Sequence, residues 1–263
     1  MRNDVVTVIK KHINELYQIL DKYNISDKLN FISAAETDLV FQRAVLMSVG
    51  YIGELSKKLS DNIQNSAPNV NWRRLSRSRN IIFHDYDIAD MEVISSVVFK
   101  DIAGLRLSLM QITKADKSDL KEILELQYLA YQSEAVLLNN FEIPPLKQTL
   151  EEVEQEYAKG IFLKAVDTDG KIIGSVRAYI ETQNNTAYIG KLIVLPEKQS
   201  QGIGTKLVQA IEQECFDLIT RYEIFTSDKS LRTIRLYEYL GYAKFKEQKI
   251  SDKLNLVFLE KYK

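Results

Sequence analysis

The residues of this chain best suited to chemistry fall in two stretches. The first reads Asn71-Trp72-Arg73-Arg74-Leu75-Ser76-Arg77-Ser78-Arg79-Asn80-Ile81-Ile82-Phe83-His84-Asp85-Tyr86, with four arginines inside seven positions and one of only two histidines just after them. On a helix, Asn80 and His84 are one turn apart and share a face. Arg79 lies roughly 140° round from His84, yet a guanidinium is long enough to converge on the same phosphate. Metal-free RNA cleavage needs such groups. A histidine takes the proton of the ribose 2′-OH or protonates the leaving oxygen, and an arginine stabilises the charge on phosphorus. A solvated basic helix with a capping histidine would show the same pattern.

The second stretch is Ile193-Val194-Leu195-Pro196-Glu197-Lys198-Gln199-Ser200-Gln201-Gly202-Ile203-Gly204-Thr205. It reads as a β-branched strand, a proline stop, and then Gln199-x-x-Gly202-x-Gly204 opening an amphipathic helix. A helix N-terminus carries unpaired N–H groups and about half a positive charge, which suits a pyrophosphate. Glycines let the backbone approach and tolerate positive φ. A plain glycine-rich helix start would look alike. A later segment, Ser230 to Tyr242, is a short helix ending on Gly241.

Two kinds of element must position these stretches. Before residue 110 the pattern is helical: Val5, Val8, Ile9, Ile13, Leu16 and Leu20 recur at steps of three and four. Further helices are expected at Leu39–Leu59, Val70–Phe83 and from Asp87, with Asp90 three residues on, to Leu109, giving an all-α four-helix bundle over residues 1–112. Residues 113–263 change character. A helix is expected at Lys117–Tyr131, a loop at Phe141–Pro145, and a polar helix ending near Tyr157. Strands are expected at Ile161–Asp167, Lys171–Glu181, Thr186–Val194 and Glu223–Thr226. Helices at Gly202–Phe216 and Leu231–Leu240 and two final strands complete an α/β domain. No Gly/Ser/Pro linker divides the two halves.

Together the segments around Gly202 and Tyr237 resemble the GNAT family of N-acetyltransferases. Gln199-x-x-Gly202-x-Gly204 matches its pyrophosphate motif, and Leu236-Tyr237-Glu238-x-x-Gly241-Tyr242 its late helix. The resemblance covers about 150 residues and implies a mixed, mostly antiparallel sheet that binds acetyl-CoA. Carried over by position, the backbone of Leu192, Ile193 and Val194 would pair with the pantetheine arm. Ser200, Gln201, Gly202, Ile203, Gly204 and Thr205, with Gln199 before them, would hold the pyrophosphate. Tyr237 would protonate the departing thiolate. The family often has Asn where Ser230 stands. Glu181 and Tyr188 lie on strands that could face the acceptor, and ordinary strand residues would read the same. The acceptor itself is not legible.

The stretch around Arg79 resembles the HEPN superfamily, and within it the HepT-like toxins. Their signature of Arg, four residues, His, one residue, Tyr stands here as Arg79, His84 and Tyr86, with Asn80 and Trp72 also fitting. The resemblance implies a ribonuclease that dimerises around the motif. A two-fold axis would bring together two histidines, one from each chain. In such toxins a partner enzyme, usually a nucleotidyltransferase, can silence the nuclease by modifying the tyrosine at the place of Tyr86. The fused domain here resembles an acetyltransferase instead.

Composition narrows the rest. Net charge is −1, hydrophobic residues make up 45% and charged residues 27%, which suits two globular domains rather than a nucleic-acid coat protein. One cysteine, Cys215, and two histidines, His12 and His84, argue against a disulfide framework or a zinc site as the basis of the fold. With no signal-like start and no apolar run of ~18 residues, a cytoplasmic protein without a membrane span is expected. The expectation is a toxin–antitoxin-like fusion in which the acetyltransferase domain restrains a metal-free ribonuclease. The alternative is an acetyltransferase for a small amine, a protein or aminoacyl-tRNA, with the helical domain serving dimerisation or RNA docking.

Overall fold

A computed structural model describes residues 4–84, 89–251 and 254–263, the side chains of residues 81–84 excepted. The chain divides into two compact units, one of residues 1–110 and 167–171, the other of residues 111–166 and 172–263.

The first unit is helical. Its helices are α1 Val5–Lys22, α2 Lys28–Thr37, α3 Leu39–Ser56, α4 Asp61–Asn65, α5 Trp72–His84, α6 Met91–Ser96 and α7 Ala103–Leu109. A π-helical stretch, Val97–Ile102, joins α6 to α7 without a break. The four long segments expected from periodicity are present, and the short α2 and α4 are additional. Asp90 caps the start of α6 by accepting from the N–H groups of Glu92 and Val93. The expected start at Asp87 lies outside the described residues. Ile9, Ile13, Leu16 and Leu20 form the buried stripe of α1 and pack with Phe41, Leu46, Ile52, Leu75 and Ile102.

The crossing of α3 and α5 sets the place of the arginine-rich helix. A Cβ on Gly53 would come within 2.5 Å of the Leu75 carbonyl oxygen and 2.8 Å of Ser78 Oγ. Only glycine lets the two backbones approach so closely there. Ser78 is fully buried, and its hydroxyl is satisfied by the Leu75 carbonyl.

The second unit is a seven-stranded sheet with the order β1-β2-β3-β4-β5-β7-β6. The strands are β1 Gln111–Lys114, β2 Ile161–Val166, β3 Ile172–Glu181, β4 Thr186–Val194, β5 Arg221–Ser227, β6 Ala243–Ser251 and β7 Leu254–Tyr262. Every neighbouring pair is antiparallel except β4 and β5. Helices α8 Leu120–Leu138, α9 Pro144–Lys147, α10 Leu150–Tyr157, α11 Ile203–Cys215 and α12 Leu231–Tyr239 accompany the sheet. The segment expected to be loop at Phe141–Pro145 ends in the single turn α9. Proline at its first position loses no hydrogen bond, because that N–H has no helical partner. Among the described residues no helix is long and apolar enough to cross a membrane.

Candidate functional site

Among the described residues the sheet opens between β4 and β5. The parallel pairing of β4 with β5 runs from Thr186 to Ile189 and stops. Beyond it, β4 keeps its pairing with β3, where Ile193 faces Ser175 and Val194 faces Gly174. Lys191 takes φ 48°, and the register between the two strands shifts at this point. Such a bulge bends the strand and re-aims residues 192–194 beyond it. The β5 side of residues 190–194 is therefore an edge inside the sheet, with backbone groups available to an extended ligand.

The chain leaves β4 through a 3₁₀ turn, Pro196–Lys198, and reaches α11 through two left-handed residues, Ser200 at φ 63° and Gly202 at φ 88°. Gln199 ties the turn to the end of β4 by donating from Nε2 to the Val194 carbonyl at 3.1 Å. The first intrahelical bond of α11 is Lys206 N–H to Gly202 O, and no side chain caps its start. The N–H groups of Ile203, Gly204 and Thr205 are thus left to an anion. An added Cβ on Gly204 would meet Leu236 at 3.6 Å and Leu192 at 3.7 Å, so the bare glycine lies over the open strand. Gln201 turns away and donates to the Glu197 carbonyl. Arg232, which no sequence motif singled out, reaches Ser200 Oγ from the first turn of α12 and adds a cation to this loop.

Tyr237 is 4% exposed. Burial raises its pKa well above the ordinary tyrosine value, and Tyr131 and Glu134 add to the effect. The hydroxyl therefore holds its proton at neutral pH, as a general acid must. Tyr131 beside it is pushed up to about 12, again chiefly by burial. Glu134 accepts from Ser230 Oγ through both carboxylate oxygens at 2.7 Å. Ser230 thereby fixes the start of α12 to α8. Tyr131 and Glu134 were not legible as site residues, because their partners lie about a hundred residues away in sequence. Glu181 and Tyr188 bond to each other and to Asn184 at the β3–β4 turn. The thiol of Cys215 is buried and pushed up to about 11, which makes it a poor nucleophile.

In the helical unit the four arginines take different environments. Arg74 bonds the fully buried Asp101 through Nε at 2.6 Å and Nη2 at 3.0 Å, and Asp101 also accepts from the Asn71 N–H. Arg74 is a structural residue. Arg73 and Arg77 are exposed. Arg79 is half-exposed, with Nε 3.4 Å from Glu54 Oε2 and Nη1 3.4 Å from Asn80 Oδ1. His84 is the last residue of α5. Tyr86 lies outside the described residues.

Comparison with known proteins agrees with this division. A family model described as "Ribonuclease HepT-like" matches residues 9–112, and one described as "Acetyltransferase (GNAT) family" matches residues 120–242. A protein of Methanocaldococcus jannaschii named as a candidate RNase is 30% identical over 92 residues, which is 33% of this chain and 74% of that protein. A protein of Thermococcus cleftensis named as a probable ribonuclease HepT is 32% identical over 65 residues. There the match takes in 25% of this chain and spans 59% of the relative's length. A crystal structure of a Streptococcus mutans protein superposes with a TM-score of 0.50 and 17% identity, covering 58% of this chain and 98% of that one.

Proposed function

Because residues 9–112 belong to the HepT-like ribonuclease family and residues 120–242 to the GNAT acetyltransferase family, we propose that one chain carries two activities and that the acetyltransferase restrains the nuclease. Acetyl-CoA is the cosubstrate of the second unit. The parting of β4 from β5 supports this reading, because it leaves a strand edge that leads straight to an uncapped helix start. In this reading Leu192–Val194 hold the pantetheine arm, and Ser200–Thr205 with Arg232 hold the pyrophosphate. The acceptor nitrogen, once neutral, forms its bond to the acetyl carbonyl carbon and the C–S bond breaks. The nitrogen loses its proton to water or a base, and Tyr237 protonates the thiolate and recovers its own proton from solvent.

The helical unit is read as a metal-free endoribonuclease in which Arg79 stabilises the phosphorane and His84 moves the proton, supported by Asn80. Two chains meet around this motif as a cytoplasmic homodimer. Tyr86 is read as the position at which modification would silence the nuclease. Restraint makes the nuclease toxic only when the acetyltransferase fails, as in a toxin–antitoxin pair.

The test is growth of cells expressing the full chain. Gly202→Asp places a carboxylate and a Cβ in the pyrophosphate turn and should make the chain growth-inhibiting. Adding His84→Ala should restore growth. Growth unaffected by Gly202→Asp, in a protein that no longer binds acetyl-CoA, would reject restraint by acetylation.

A further inference from the structure

Beside the open strand lies a pocket of about 650 Å³, lined among others by Gln148, Glu156, Lys159 and Lys191. At one wall Gln148, Glu156 and Lys191, with Gln127 and Arg177 buried behind them, form a cluster with more donors than acceptors. Gln148 Oε1 faces three donors at once: Gln127 Nε2 at 3.0 Å, Arg177 Nη1 at 3.3 Å and Lys191 Nζ. An amide oxygen has two lone pairs. Glu156 serves two cations, with Oε2 2.7 Å from Arg177 Nη1 and Oε1 3.3 Å from Lys191 Nζ. Oε1 of Glu156 also accepts from Gln148 Nε2 at 2.6 Å. Arg177 is 5% exposed, and its Nε is buried with no hydrogen-bond partner. Lys191 has three donors and two protein acceptors.

Three glutamates and three lysines line the pocket, and Lys191 shares one of these glutamates, Glu156, with Arg177, which lies buried behind the lining. Glu152 accepts from the Thr149 N–H at the start of α10 and also attracts the Lys191 ammonium. Glu142 on the rim is taken by Lys147. Burial pushes the Lys191 ammonium down, and the neighbouring Arg177 charge pushes it further. Lys191 also keeps the left-handed conformation of the bulge, a position that glycine or asparagine would fill with less strain. It directly precedes Leu192, where the pantetheine arm is read to begin.

We propose that this pocket holds the acetyl acceptor and that Lys191 binds a carboxylate on it, so the acceptor is a small amine bearing a carboxylate, of the free amino-acid type. A carboxylate supplies the further acceptor oxygen that the Lys191 ammonium can bond. The inference rests on the acetyltransferase reading above. It separates free amino acids from aminoacyl esters of RNA, whose carboxyl group is esterified and neutral.

The experiment measures acetylation by the full chain of the common amino acids, each paired with its methyl ester. Binding of acetyl-CoA is followed in parallel by calorimetry. The expected result is a preferred acid with kcat/KM at least about tenfold above its ester, the gap lying mostly in KM, as for a site built to bond a group the analogue lacks. Lys191→Met should bring that ratio to within about threefold of one, while Lys191→Arg should keep it. Thermal melting shows whether each variant is folded. A misfolded Lys191→Met leaves the wild-type ratio and the Lys191→Arg ratio to decide. Equal rates for acid and ester, a ratio insensitive to Lys191→Met, or no acid acetylated by a chain that binds acetyl-CoA would each overturn the inference. Absence of acetyl-CoA binding would instead reject the acetyltransferase reading itself.

Discussion

The guanidinium of Arg79 on α5 stands 3.4 Å from the carboxylate of Glu54 on α3, the residue next to the glycine over which the two helices cross. The pair is solvent-exposed on both sides, so it contributes little to stability, on the order of 0–1 kcal/mol. It does, however, put a negative charge where the proposed nuclease must receive a phosphate. Glu54→Gln should therefore tighten RNA binding severalfold and leave the melting temperature nearly unchanged. Titration of a labelled RNA in a non-cleaving His84→Ala background measures this. Weaker binding in the variant would mean that Glu54 orients Arg79 rather than competing for it.

The ion pair of Arg74 and that of Arg79 should differ in what they contribute. Asp101 is fully buried and bonds both Arg74 and the Asn71 N–H. Asp101→Ala leaves a partly buried guanidinium without its partner and should cost about 3–5 kcal/mol, measured by urea unfolding. Arg79→Ala should cost less than ~1 kcal/mol and act on cleavage instead.

Tyr237→Phe should keep the fold and slow acetyl transfer by about 10²-fold, on the scale of a lost general acid. The raised pKa of Tyr237 means that the wild type should lose no activity through its deprotonation between pH 6 and about 10. Rates of CoA release across this range, for both proteins, are the measurement.

These elements differ in how far the sequence declared them. Thr186–Val194 was readable to the residue, since a β-branched run sits between Asn184-Asn185 and Pro196. Helix α2 was missed because it buries only Phe31 and Ala35, too few for a visible stripe, and α4 because it has five residues. The glycine turn and Tyr237 were legible because each lies in a local motif. The Gln127–Gln148–Glu156–Arg177–Lys191 cluster was not. It joins side chains of α8, α10, β3, β4 and the segment before α10, and their separations in sequence carry no period.

Acid should expose that cluster. The carboxyl of Glu156 is held below its ordinary pKa: burial alone would raise it, but Lys191 and Arg177 outweigh that. A depressed folded-state pKa means the stabilisation is complete above the free Glu value, about 4.3, and is lost as pH falls through the lower folded value. Glu156→Gln should lower the melting temperature at pH 7, and the gap to wild type should close below about pH 4. A constant gap from pH 7 to pH 3.5 would show that the charge of Glu156 is not what matters.

The π-helical stretch Val97–Ile102 carries Asp101. Each π turn holds about one residue more than an α turn. It can therefore be viewed as a one-residue insertion accommodated without a loop. Deleting a single residue N-terminal to Asp101 within this stretch would let the helix close as ordinary α. Five α residues sweep about the same angle as six π residues, so Ile94 before the stretch and Leu105 after it would keep their present faces. The wide turn thus lets the helix carry one residue more, Asp101 reaching Arg74 from within it, while the apolar faces before and after it stay in phase.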